Sequence, residues 1–104
     1  MITIANGEPL EELAKEGLCI ADFFSDTCAP CKVLALVLAR LESEFPFLNL
    51  IKVNITSHPD YANDYNIQGV PTLLFYNNGE LKERTMGFIP QEELQARITK
   101  YLYE

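Results

Sequence analysis

The sequence is poor in the features that several functions require. His58 is its one histidine, and with Cys19, Cys28 and Cys31 it makes up the whole stock of soft metal ligands. A Cys3His set therefore exists by count alone, and a cysteine pair by itself supplies too few ligands for a metal. No apolar run is long enough to span a bilayer, and residues 1–6 have neither the basic segment nor the apolar stretch of a secretory leader. The eight Lys and Arg are scattered through a chain of net charge −7, which leaves no electrostatic footprint for nucleic acid or anionic lipid. Tyr61, Tyr65, Phe75 and Tyr76 lack the basic companions of a base-stacking platform and are read as core and flanking residues. Gly and Pro are few, no segment is of low complexity and no repeat is present. The odd cysteine count excludes an even disulfide framework of the secreted kind. The expectation is one domain spanning 1–104, monomeric and cytoplasmic, with partners other than nucleic acid or membrane.

What the sequence does have centres on Ser25-Asp26-Thr27-Cys28-Ala29-Pro30-Cys31-Lys32. Before it, Leu18 to Phe24 is almost uninterrupted apolar sequence, the pattern of a strand covered on both faces. After it, Val33 to Phe45 is rich in Leu and Ala without internal Gly or Pro, which predicts a helix. Pro30 fits the first helical turn, where its missing N–H has no intrahelical acceptor. Cys28 then stands at a helix N-terminus, whose partial positive charge favours thiolate over thiol. Two thiols at this spacing suit thiol–disulfide exchange. Cys28, before the first turn, is the expected exposed nucleophile, and Cys31, within it, the shielded resolving thiol. Thr27 is a candidate donor to the Cys28 sulfur, and Cys19 reads as a small core hydrophobe. Asp22 is the anomaly, because an ionised carboxylate in a doubly covered strand is costly and burial should raise its pKa.

The remaining chain predicts a first strand in 1–5 and a helix from Asn6 to Gly17 with Pro9 in its first turn. A strand over Leu48–Ile55 and a short helix through Tyr65 follow. A strand from Thr72 to Tyr76 is joined by an Asn78-Gly79 turn to an antiparallel partner over Leu81–Met86. The last helix runs from Pro90 to Tyr103, with Leu94, Ile98, Tyr101 and Leu102 on its apolar face. Strand, helix, strand in this order implies a right-handed parallel crossover, so the fold class is α/β with a mixed sheet.

Taken together, Ala21 to Lys32, Val70-Pro71-Thr72 and Met86-Gly87 resemble the thioredoxin family over essentially the whole chain. The resemblance implies a three-layer α/β/α thioredoxin fold with a mainly five-stranded mixed sheet and about four helices. It implies a protein-disulfide reductase that needs no cofactor beyond a redox-active Cys28–Cys31 disulfide. Protein disulfides would be its substrates and a thioredoxin reductase its electron donor. Asp22 matches the family aspartate behind the resolving cysteine, a general acid/base, and Lys52 matches a lysine near it; Lys52 and Pro30 are expected modulators. Pro71 matches a proline preceded by a cis peptide, and Thr27, Ala29, Val70 and Pro71 are the expected substrate-binding positions. Thr27 stands where the family usually has Trp, Ala29 where it has Gly, and Leu36 where a kinking proline is common. The Ala-Pro pair between the cysteines favours a reducing couple within a family range of about −270 to −120 mV. Three alternatives stay open beside it: a specialised reductase of few substrates or low-molecular-weight thiol adducts, a non-catalytic binding module of the same fold, and a metal-binding or cluster-binding protein.

Overall fold

Alternation along one strand, β2 (Leu18–Phe24), builds both cores of the protein. Leu18 and Ile20 join one apolar cluster. Cys19, Ala21 and Phe23 join another on the opposite face. The computed structural model describes residues 1–103, and in it β2 is the middle strand of five. On one side it pairs in parallel with β3 (Asn49–Asn54), on the other antiparallel with β4 (Thr72–Asn77). The outer strands are β1 (Ile2–Ile4), parallel to β3, and β5 (Glu80–Met86), antiparallel to β4. The order is β1-β3-β2-β4-β5, the expected mixed sheet of the thioredoxin fold.

Among the described residues four helices cover the two faces. On one, α2 (Ala29–Glu44) contributes Leu34, Leu38 and Leu41, and α4 (Gln91–Leu102) contributes Leu94, Ile98 and Tyr101. On the other lie α1 (Leu10–Leu13) and α3 (Asp60–Asp64), which supply Leu10 and Tyr61. The buried residues of α2 fall at three- and four-residue intervals, the inward stripe of an amphipathic helix. Leu36, off that stripe, is 70% exposed.

Two expectations are corrected. The helix expected from Asn6 to Gly17 shrinks to the four residues of α1. Pro9 adopts an extended ψ of 136°, Gly7 has φ 103°, and the backbone between them is taken up by tertiary hydrogen bonds. The Tyr61 hydroxyl accepts the Gly7 N–H at 2.9 Å and donates to the Glu8 carbonyl at 2.6 Å, while the Tyr65 hydroxyl accepts the Leu10 N–H at 2.7 Å. The second correction concerns Leu102, which is 41% exposed. It lies about 80° around the helix from Leu94, at the border of the apolar stripe and in the final turn.

The hairpin turn is as expected. Asn78 and Gly79 both have positive φ, 52° and 87°, which a two-residue connection between right-twisted strands requires. Leu38 and Leu36 give a direct test of the packing. Leu38→Ala should destabilise the protein by about 2–5 kcal/mol in urea unfolding, whereas Leu36→Ala should stay within about 0.5 kcal/mol of the native value.

Candidate active site

The end of β2 and the start of α2 bring the two cysteines together. Cys28 is the N-cap residue of α2, with extended backbone, and Ala29 and Pro30 form the first helical positions. An N-cap side chain is aimed at the amide three residues on. Accordingly, the Cys28 Sγ accepts the Cys31 N–H at 3.2 Å. The donor is this amide and not the exposed Thr27, which corrects the expected hydroxyl contact. The two cysteines are joined as a disulfide, with Cα atoms 5.2 Å apart. Cys31 is 3% exposed and Cys28 9%, so Cys28 is the more accessible sulfur but is largely covered rather than exposed as expected. Thr27, Ala29 and Pro30 are the exposed residues around it.

The loop before β4 closes the same end of the sheet. Its Val70–Pro71 peptide is cis. The Gly87 N–H donates to the Pro71 carbonyl at 2.8 Å, and the Thr72 hydroxyl to the Gly69 carbonyl at 2.6 Å. Gly87 has φ 95°, the left-handed region where a side chain is strained. Since Thr72 stands opposite Phe23 in the ladder, this loop reaches the sheet beside the strand end that leads to the cysteines. Pro71 is buried and Val70 half-buried.

Asp22 is fully buried and not at a solvent-facing edge. Alternation puts it on the α2/α4 face, opposite Lys52 in the parallel register. Lys52 Nζ lies 2.6 Å from Asp22 Oδ2, with 18% of the lysine side chain exposed and 1% of the aspartate's. The other oxygen, Oδ1, has no partner among the described residues. Burial pushes the Asp22 carboxyl above its ordinary value, and the Lys52 charge and hydrogen bond pull it only part of the way back. A cavity of about 290 Å³ lined by Cys31 and Lys52 lies beside the pair, with Phe24, Asp26, Lys32 and Ala35 in its wall. Cys31 and Lys52 therefore share one cleft, and Asp22 lies buried behind it, joined to it through Lys52.

Other features of the site were not read from the sequence. Lys52 Nζ sits 5.0 Å from the centre of the Phe24 ring. Asn54 ties the loop after β3 to the loop before Cys28: its Nδ2 donates to Asp26 Oδ1 at 3.0 Å, and its Oδ1 accepts the Thr56 and Ser57 N–H groups. Thr56 Oγ1 accepts the Asp26 N–H at 3.0 Å. An Asn two residues before a Thr-Ser pair is a turn signal that could have been read. The remaining soft ligands do not converge on the cysteines. Cys19 is buried in the α1/α3 core, where burial pushes its thiol up, and His58 packs edge-on against Tyr61. Tyr65, between Glu11 and the Leu10 amide, is pushed up to about 12, chiefly by burial.

With this geometry in view, comparison with known proteins gives one answer. The family model described as Thioredoxin matches residues 2–100. A thioredoxin of Chlamydia trachomatis is 34% identical over 101 residues, covering 97% of this chain and 99% of that protein. A thioredoxin of Bacillus subtilis is 34% identical over 102 residues, covering 97% and 98%. Among solved structures, chloroplastic thioredoxin z superposes with a TM-score of 0.89 at 28% identity, over 99% of this chain and 96% of that one.

The buried carboxyl has a consequence for stability. A group whose folded pKa is raised loses stability for the fold as pH rises from its unfolded value, about 3.9, through its folded value. Asp22→Asn removes that loss. The stability of Asp22→Asn relative to the native protein should therefore rise between pH 4 and pH 8, measured by urea unfolding at each pH; a difference independent of pH would contradict the raised value.

Proposed function

Because the chain belongs to the thioredoxin family, we propose that this thiol–disulfide oxidoreductase runs in the reducing direction, as a single thioredoxin-like domain that passes two electrons to protein disulfides. The observation that carries the reading is the Cys28–Cys31 pair at the N-terminus of α2, with Cys28 the more accessible sulfur.

In the cycle, the Cys28 thiolate attacks one sulfur of a client disulfide. A Cys28–client S–S bond forms, and the other client sulfur leaves as a thiolate that takes a proton from solvent. The positive end of α2 and the Cys31 N–H favour negative charge on the Cys28 sulfur before the attack. Asp22, behind the cleft that Cys31 and Lys52 line, then accepts the Cys31 proton; the Cys31 thiolate attacks the Cys28 sulfur and expels the client sulfur bonded to it, which leaves as a thiolate and is protonated in turn. The products are a reduced client and the Cys28–Cys31 disulfide. A carboxyl held above its usual range is suited to this work, since a general base is most effective when its pKa approaches the working pH. Lys52 tunes Asp22, and Pro30 starts the helix that carries Cys31.

Thr27, Ala29, Val70 and Pro71 form the substrate-binding rim, with the backbone before Pro71 pairing with an extended client segment like an added strand. Electrons return from a thioredoxin reductase, and the cycle needs no bound cofactor. The setting is the cytoplasm, the role is electron transport in cell redox homeostasis, and the working form is a monomer. Among the described residues no helix is long and apolar enough to cross a membrane. A specialised reductase is favoured by one feature, the exposed Thr27 where a large aromatic side chain is usual, which makes the rim smaller. Turnover with chemical reductant but not with a thioredoxin reductase would select that reading.

An equilibrium redox titration of the Cys19→Ala protein in dithiothreitol buffers tests the direction. A two-electron couple at about −270 to −230 mV is expected, and one near about −120 mV would overturn the reductant. The roles of the two thiols are tested by trapping. Cys28→Ser should lower reduction of a model protein disulfide by about a hundredfold or more, and Cys31→Ser should accumulate a mixed disulfide on Cys28. Accumulation on Cys31 in the Cys28→Ser protein instead would reverse the assignment.

A further inference from the structure

We propose that Phe24 is a positioning residue: its ring keeps the Lys52 ammonium on the Asp22 carboxylate and so sets the pH range over which Asp22 gives and takes its proton. The inference rests on the reading of Asp22 as the proton carrier for Cys31.

Strand geometry brings the three side chains together. Asp22 and Phe24 are two residues apart on β2 and so point to the same face, while Phe23 between them enters the opposite core. Lys52 stands opposite Asp22 in the β2–β3 ladder, which makes it the diagonal neighbour of Phe24, within reach of an aromatic side chain. Its Nζ is 2.6 Å from Asp22 Oδ2 and 5.0 Å from the Phe24 ring centre. The negative face of the ring attracts a cation at this range.

The ring matters because, among the described residues, it and the Asp22 carboxylate are the contacts that hold the lysine ammonium. Lysine is a flexible stem carrying a strongly hydrated charge, and here the side chain is 18% exposed and lines an open cavity. The ion pair alone competes with water for the ammonium; the ring beside it removes part of that competition. Other charged or titratable groups around the cleft are Cys31 and Lys32 from α2 and Asp26 from the loop after β2, the last held by Asn54. On the β4 side Asp22 faces Leu73, which carries no charge, and the one titratable side chain that α4 contributes to this core, Tyr101, hydrogen-bonds through its hydroxyl to Glu83 of β5. Among the described residues only Lys52 is in ion-pair contact with Asp22. Loosening it leaves the buried carboxylate with less compensation, which favours the protonated form.

The test is an NMR titration of the Asp22 carboxyl carbon in the reduced protein, made on the native chain, Phe24→Leu, Phe24→Trp, Lys52→Met and the Phe24→Leu/Lys52→Met pair. Phe24→Leu should raise the midpoint by about half a pH unit or more, the size a cation–π contact carries. Phe24→Trp should restore the native midpoint, and Phe24→Leu should add nothing once Lys52 is Met. An unchanged midpoint in Phe24→Leu, or an equal shift with and without Lys52, would overturn the proposal. The pH profile of single-turnover client reduction separates the two readings. If the titration moves and the rate profile does not, Asp22 is not the proton carrier, while the action of Phe24 on it stands.

Discussion

The constraint on which the rest of this structure depends is the burial of β2 on both faces. A central strand must give every side chain to a core, and this one gives Leu18 and Ile20 to one and Cys19, Ala21 and Phe23 to the other. A carboxylate in that series is accommodated only because the parallel neighbour supplies a lysine at the same register. The result is a buried acid with one oxygen satisfied and the other, among the described residues, not. Such a group is expensive as structure, and in the proposed cycle it serves as the base that takes the Cys31 proton.

The same strand delivers the cysteines. The chain leaves the sheet beyond Phe24, turns through Ser25 to Thr27, and enters α2 at Cys28. At that corner one sulfur does two jobs: it caps the helix by accepting the Cys31 N–H, and it bonds to the Cys31 sulfur. The corner is held from outside by Asn54 and Thr56 on the next crossover, and the second half of the sheet brings the Val70–Pro71 loop to the same end. Polar chemistry is thus confined to one edge of a molecule whose two cores are otherwise apolar, with the Asp22–Lys52 pair marking the border.

Much of this was legible in the sequence, and the reasons are specific. Leu18–Phe24 and the Leu-rich helix after it are long, uninterrupted patterns, so the central strand was read to the residue and the dithiol was placed at its end. Asp22 stood out because its residue type contradicts its surroundings. The Asn78-Gly79 turn carried its own conformational signature. Acidic residues and a proline signal a longer first helix than forms, because its backbone groups are claimed by two tyrosine hydroxyls more than fifty positions away. No local pattern reports such a partner. The Phe24–Lys52 contact was hidden for a related reason: it depends on the β2–β3 register, and each residue alone looks ordinary.

Cys19 gives the protein a built-in clock. It is a free thiol with no exposed surface, packed in the core opposite the active-site pair, with its ionisation held back by burial. An alkylating reagent added to the reduced protein meets Cys28, the more accessible of the active-site sulfurs, before this one, because Cys19 reacts only when the core around it opens. The order in which Cys28 and Cys19 take up label therefore separates events at the end of α2 from opening of the α1/α3 core, with no foreign probe introduced.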